Sequence, residues 1–163
     1  MLDTTCLEEG KLQLKIVTFN LNQLIKEKVQ DKQMENKNHQ FEIKLSSSDE
    51  IEADRNRIGQ VITNLISNAI KYSPHGGKIA ITSEVKDSSV QVNIIDSGLG
   101  IPKNDLEKIF ERFYRVTKDN LSGMGIGLSI CKDIINSHQG TLNVTSQEGK
   151  GSTFSFIIPR HVK

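Results

Sequence analysis

The sequence predicts an α+β two-layer sandwich, a mixed and largely antiparallel sheet with helices packed on one face. Two observations carry that expectation. Strand-like segments come in adjacent pairs between helical segments, without the strict β–α alternation that a doubly wound parallel sheet requires. The 163 residues, 36% hydrophobic and 25% charged, suit one globular domain with a substantial core.

The elements follow in order. Residues 1–12, "MLDTTCLEEGKL", read as the end of a helix stopped near Gly10; a helix starting uncapped at residue 1 reads as cut from a longer protein. "KLQLKIVTF" reads as extended. Asn20 then caps a helix whose apolar residues Leu21, Leu24, Ile25 and Val29 keep a helical period. After the polar stretch "DKQMENKNHQ", "FEIKL" and "EIEA" are short strand candidates, expected to form a hairpin around "SSSD". Asp54 caps the next helix. There Ile58, Val61, Ile62, Leu65, Ile66, Ala69 and Ile70 step alternately by three and one, a strong amphipathic signal that "SPHGG" ends.

Two strands follow, "KIAITSEV" and "VQVNIID", the second alternating through Val90, Val92 and Ile94. Next come "SGLGIP", a short helix from Lys103 to about Phe110, and a loop up to "GMGIGL". A further helix carries Ile126, Ile130, Ile134 and Ile135 and stops at Gly140. The last stretch, "TLNVTSQEGKGSTFSFIIP", reads as a hairpin turning at "EGKG".

Charge narrows the function. Lys and Arg number 21 against 20 for Asp and Glu, a formal charge of +1. No general pull toward nucleic acid or an anionic membrane follows, so a bound anion must be held by local geometry. Cys6 and Cys131 have no metal-type spacing. Cys131 shares an apolar helical face with Leu128 and Ile135 and reads as a buried thiol, in keeping with a reducing cytoplasm. No signal peptide is evident, and no apolar run approaches the ~18 residues that span a bilayer.

Five stretches carry possible chemistry. In "NLISNAIKYS", Asn64, Asn68 and Lys71 fall on one stripe flanking the apolar face of the Asp54 helix, with Tyr72 at its edge. An amide oxygen suits Mg²⁺ and a lysine suits a phosphate, although a solvated helix face reads the same way. In "DSGLGIP", Asp96 closes a strand as a hydrogen-bond acceptor, and Gly98 and Gly100 let the backbone approach a flat ring. An ordinary turn has the same letters. In "GMGIGLSI", Gly123, Gly125 and Gly127 open a helix whose N-terminus can cradle phosphate. The spacing is that of neither a Walker nor a Rossmann loop, and a flexible loop is the plain alternative. "IFERFYRV" offers Phe110 and Phe113 as anchors and Arg112 and Arg115 as cations. In "GKGSTF", Thr153 opens the last strand.

Together and in their order along the chain, "NLISNAIKYS", "DSGLGIP", "IFERFYRV", "GMGIGLSI" and "GKGSTF" resemble the asparagine box, first glycine box, phenylalanine box and two further glycine boxes of sensor histidine kinases. The resemblance covers about residues 13–163 as the catalytic ATP-binding domain, with residues 1–12 similar to the end of the preceding dimerisation helix. It implies the Bergerat fold, shared with gyrase, chaperone and mismatch-repair ATPases. It also implies ATP and Mg²⁺ as cofactors. By resemblance, Asp96 binds the adenine amino group with Thr153 in support, and Tyr72 packs on the ring. Asn68 coordinates Mg²⁺, Lys71 contacts a phosphate, and Arg115 stabilises charge during transfer. Gly98, Gly100, Ile101, Phe110, Phe113 and Leu128 complete the nucleotide contacts. Residues 111–124 form a lid with Gly123, Gly125 and Gly127 as hinge and phosphate contact.

Asn64 stands where the hydrolysing relatives carry a glutamate base. An amide is a poor general base for water, so the resemblance points to a phosphate donor rather than a hydrolase. The phosphoacceptor histidine is expected outside this chain. His39, His75, His138 and His161 lie in a polar loop, a turn, a helix end and the tail, away from the family's context. Implied partners are therefore a dimerisation domain of the same protein and a response-regulator receiver domain. The chain itself is expected to be a cytoplasmic monomer without direct membrane contact. A nucleotide-binding pseudokinase or scaffold, and an ATP-hydrolysing clamp of the gyrase or chaperone type, are the other readings.

Overall fold

The computed structural model describes residues 13–46, 50–111 and 127–161. Strand β1 (Val17–Asn20) leads into helix α1 (Leu21–Glu35), followed by β2 (His39–Lys44) and β3 (Glu50–Ala53). Helix α2 (Arg55–Lys71) precedes β4 (Gly77–Lys86) and β5 (Ser89–Asp96). A single turn, α3 (Lys103–Leu106), is followed by α4 (Gly127–Ser137) and the hairpin β6 (Thr141–Gln147) and β7 (Gly151–Pro159).

The main sheet has the order β2-β4-β5-β7-β6, in which β2 and β4 run parallel and the other neighbours antiparallel. The expected mixed, largely antiparallel sheet is thus present. Its two faces differ sharply. Ile79, Ile81, Val90, Val92, Ile94, Phe154, Phe156 and Ile158 alternate inward and are buried. Outward stand Thr82, Gln91, Asn93 and Ser155, joined by side-chain hydrogen bonds centred on Asn93. Among the described residues the helices cover the inward face alone, with α2 between α1 and α4.

Local chemistry fixes the helix ends. Asn20 Oδ1 accepts from the Gln23 amide at 2.8 Å and starts α1. Asp54 does the same for α2, Oδ1 accepting from Arg57 N–H at 3.1 Å and Oδ2 from Lys15 N–H at 2.8 Å. Its own N–H donates to Nε2 of buried His138 at 3.1 Å, while His138 Nδ1 donates to the Ile134 carbonyl at 2.8 Å. One imidazole therefore joins the end of α4 to the start of α2. Along α2 the residues Ile58, Val61, Ile62, Leu65, Ile66 and Ala69 are wholly buried. Each such Leu or Ile side chain stabilises by about 2 kcal/mol.

Several expectations change. "FEIKL" and "EIEA" are strands but form no hairpin: β2 pairs with β4, and β3 pairs with β1 in a separate two-stranded sheet. The intervening α2 provides the crossover that a parallel β2–β4 pair needs. Of the described part of "KLQLKIVTF", residues 13–19, only Val17–Phe19 joins a strand. The helix expected up to Phe110 ends at Leu106, with turns beyond it. His39 begins β2 and is buried, its Nε2 donating to the Ser73 carbonyl at 2.8 Å, so it is no loop residue. The helix end expected in residues 1–12, Cys6 and Ile126 lie outside the described residues.

Candidate functional site

The unbroken helix α2 brings Asn64, Asn68 and Lys71 onto one half-buried stripe beside its buried face. Asn64 lies against the first turn of α4: its Cγ and Nδ2 are 3.9 Å from where a Cβ on Gly127 would stand. The asparagine stripe and the helix after the glycine-rich loop thus form one corner. One turn into α4, Cys131 is fully buried, and burial pushes its thiol up to about 12. The expectation of a buried thiol holds.

The other wall is the end of β5. Paired residues of the inward face form the row Ile79, Asp96, Ser152 and Ser146 across β4, β5, β7 and β6. Polar groups replace apolar ones at this last row. Asp96 is only 3% exposed. Its Oδ1 accepts from Gly98 N–H at 3.0 Å, whereas Oδ2 is buried without a hydrogen-bond partner among the described residues. Burial raises the Asp96 carboxyl above its ordinary value, opposed by the Gly98 and Ser152 backbone amides. A buried acceptor left open costs free energy unless a donor is brought to it.

The loop after Asp96 is tied on both sides. Leu99 N–H donates to the Tyr72 carbonyl at 2.8 Å, and a Cβ at Gly98 would collide with that carbonyl oxygen. Only glycine allows this approach. Gly100 has φ of 74°, in the left-handed region, and packs against the Gln147 carbonyl. Ile101 N–H donates to Ser146 Oγ at 2.7 Å, and Gly149 N–H donates to the Leu99 carbonyl at 2.6 Å. The hairpin turn therefore braces the loop that holds Asp96.

Asn64 and Gly127 meet at one corner, and Asp96, Gly98, Gly100 and Ile101 form the opposite end, with Ile101 and Leu128 nearly fully buried. Tyr72 is the C-cap residue of α2 and is 8% exposed. Phe110 packs partly into the core, with Lys132 Nζ 5.8 Å from its ring centroid. Thr153 does not join Asp96. It pairs with Ile95 on the outward face, and its neighbour Ser152 stands across from Asp96 instead. The period-two run Phe154, Phe156 and Ile158 already placed Ser152 inward and Thr153 outward. Phe113, Arg115, Gly123, Gly125 and the lid expected over 111–124 beyond Glu111 lie outside the described residues. No cluster of His, Cys, Asp and Glu suited to a metal occurs among the described residues.

Residues 53–162 match the family described as histidine kinase-, DNA gyrase B-, and HSP90-like ATPase. Sensor histidine kinase WalK of Bacillus subtilis is 44% identical over 114 residues, 67% of this chain and 19% of that protein. Adaptive-response sensory kinase SasA of Thermosynechococcus vestitus is 40% identical over 156 residues, 93% of this chain and 41% of that protein. The chain thus spans well under half the length of these relatives. Among solved structures, the nucleotide-free catalytic domain of histidine kinase ThkA is 38% identical with a TM-score of 0.79, covering 91% of this chain and 100% of that one.

Proposed function

This chain belongs to the histidine kinase-, DNA gyrase B- and HSP90-like ATPases and has the catalytic ATP-binding domain of a sensor histidine kinase; from that premise we propose how its own residues bind nucleotide and donate phosphate. The observation that carries the reading is Asp96 Oδ2, a buried carboxylate oxygen awaiting a donor at the rim of the sheet. The exocyclic amine of adenine is such a donor. Ser152, across from it, replaces Thr153 in that role.

At the other corner, Asn64, Asn68 and Lys71 line the stripe where a triphosphate would lie. With no acidic cage present among the described residues, Mg²⁺ would be held by Asn68 together with the phosphates, where it offsets their charge. Asn64 cannot act as a base toward water, which favours keeping the γ-phosphoryl for an imidazole. That imidazole belongs to a dimerisation domain outside these residues: His39 and His138 are buried, and the exposed His75 and His161 lie in a turn and beyond β7. An aspartate of a receiver domain would take the phosphoryl group next. The remaining assignments, Lys71 to a phosphate and Arg115 to the transferred group, rest on the resemblance.

Labelled ATP, with and without an added dimerisation domain, tests this reading. Label should reach the added domain and not this chain, with negligible steady-state hydrolysis; Asn68→Ala should abolish the Mg²⁺ dependence. Phosphohistidine formed by this chain alone, or rapid ATP turnover, would overturn the proposal.

A further inference from the structure

Ser146, on β6, belongs to no motif singled out in the sequence, yet its hydroxyl is saturated. Ile101 N–H donates to Oγ at 2.7 Å, Oγ–H donates to the Gly151 carbonyl at 2.9 Å, and Ser152 Oγ lies 2.8 Å away. A hydroxyl has one proton and two accepting lone pairs. A carbonyl can only accept, so the Ser146 proton is committed to Gly151. The Ser152 hydroxyl must then be the donor in the Ser146–Ser152 pair. Because β7 lies between β5 and β6, the Ser152 proton points away from Asp96. What Ser152 leaves beside Asp96 is lone pairs.

We propose that Ser146 is a positioning residue for base recognition: by holding the Ser152 proton toward β6, it leaves two side-chain acceptors side by side at the polar end of the site, Asp96 Oδ2 and Ser152 Oγ. Such an edge takes a purine with an exocyclic amine at this position and rejects one with a carbonyl there, such as hypoxanthine. The inference rests on Asp96 being the base-binding carboxylate. It adds a residue that never touches the base and a direction for a proton.

Ser146 also braces the loop through Ile101, so a loss of affinity alone would not separate the two roles. A loosened loop weakens both bases alike, whereas a freed Ser152 proton favours the carbonyl base selectively. The experiment is calorimetric titration of ADP and inosine diphosphate, with Mg²⁺, into the parent chain and variants. Ser146→Ala should weaken ADP about tenfold and narrow the ADP preference over the inosine nucleotide about fivefold or more. Ser146→Thr, which keeps the hydroxyl, should retain the preference. If Ser146→Ala fails to fold, Ser152→Ala serves instead: it removes one acceptor and leaves the Ile101–Ser146 bond, and should narrow the preference too. Equal weakening of both nucleotides, or an unchanged preference, would overturn the proposal. Asp96→Asn in the same series separates the failures. If it leaves ADP binding unchanged the base site is misassigned, and if it weakens ADP while the Ser146 variants keep the preference, only the role of Ser146 falls.

Discussion

The two faces of the main sheet obey the same alternation and do opposite work. Outward, Thr82, Gln91, Asn93 and Ser155 satisfy one another: Asn93 Oδ1 accepts from Gln91 at 2.9 Å and from Ser155 at 2.6 Å, and its amide donates to Thr82 at 2.9 Å. Inward, the rows are apolar apart from Ser83, whose hydroxyl accepts from Ser46 N–H at 3.0 Å, until the last, where Asp96, Ser152 and Ser146 stand in line with Ile79. A polar group on the outward face is unremarkable, whereas a polar group on the inward face needs a reason. Ser146 and Ser152 find one in each other and in the backbone. Asp96 Oδ2 finds none among the described residues, and the proposed site is built on that leftover acceptor.

The contrast can be broken most forcefully at the core. Phe154→Ala, one row inside Asp96, should destabilise by about 3–5 kcal/mol in denaturant unfolding. Thr145→Ala, on the outward face, should stay within about 0.5 kcal/mol. A comparable loss from both would mean that the outward face is also packed. At the polar row the effect moves from stability to binding. Asp96→Asn should weaken adenine nucleotide at least tenfold, as expected for losing a hydrogen bond to a charged group. The fold should be no less stable for it, because the substitution removes a charge that burial disfavours. Smaller again is the one-residue comparison: Ser152→Ala should lower nucleotide affinity by roughly fivefold, whereas Thr153→Ala should leave it unchanged. Equal effects would erase the distinction between the faces.

The mildest expectation concerns His138, which joins α4 to the cap of α2. Burial lowers its pKa below the ordinary 6.5, opposed by its bond to the Ile134 carbonyl and by the Asp54 carboxylate. The unfolded chain therefore binds this proton more readily than the folded one. Its contribution to stability is full above pH 6.5 and lost as pH falls below that value. Unfolding of the parent and of His138→Gln, which cannot titrate, should diverge across that window. Identical pH profiles would contradict the role given to this imidazole.

Much of this was legible from residue periods. The alternating steps of three and one from Ile58 to Ile70 marked α2 and its half-buried flank, and Asn20 and Asp54 announced their helices as caps. Pairing was less legible. "FEIKL" and "EIEA" have strand composition, but nothing local says that their partners lie across α2 and before α1 rather than beside each other. For Thr153 the question is one of register: β7 sets it across from Ile95 and sets Ser152 across from Asp96. Shifting a strand by one residue exchanges its faces, and motif position alone did not decide between Ser152 and Thr153. Ser146 was invisible because its role is a hydrogen-bond count, readable only once Ile101, Gly151 and Ser152 converge on it.

The proposed site puts nucleotide at the polar end of the inward face. The direct measurement is a two-dimensional NMR titration of the labelled chain with ADP and Mg²⁺, following amide resonances on both faces. The Gly98, Ile101 and Ser152 backbone amides should shift, while the Asn93 and Gln91 side-chain amides of the outward face should stay in place. Shifts confined to the outward face, or none at Gly98 and Ser152 at saturating nucleotide, would contradict it.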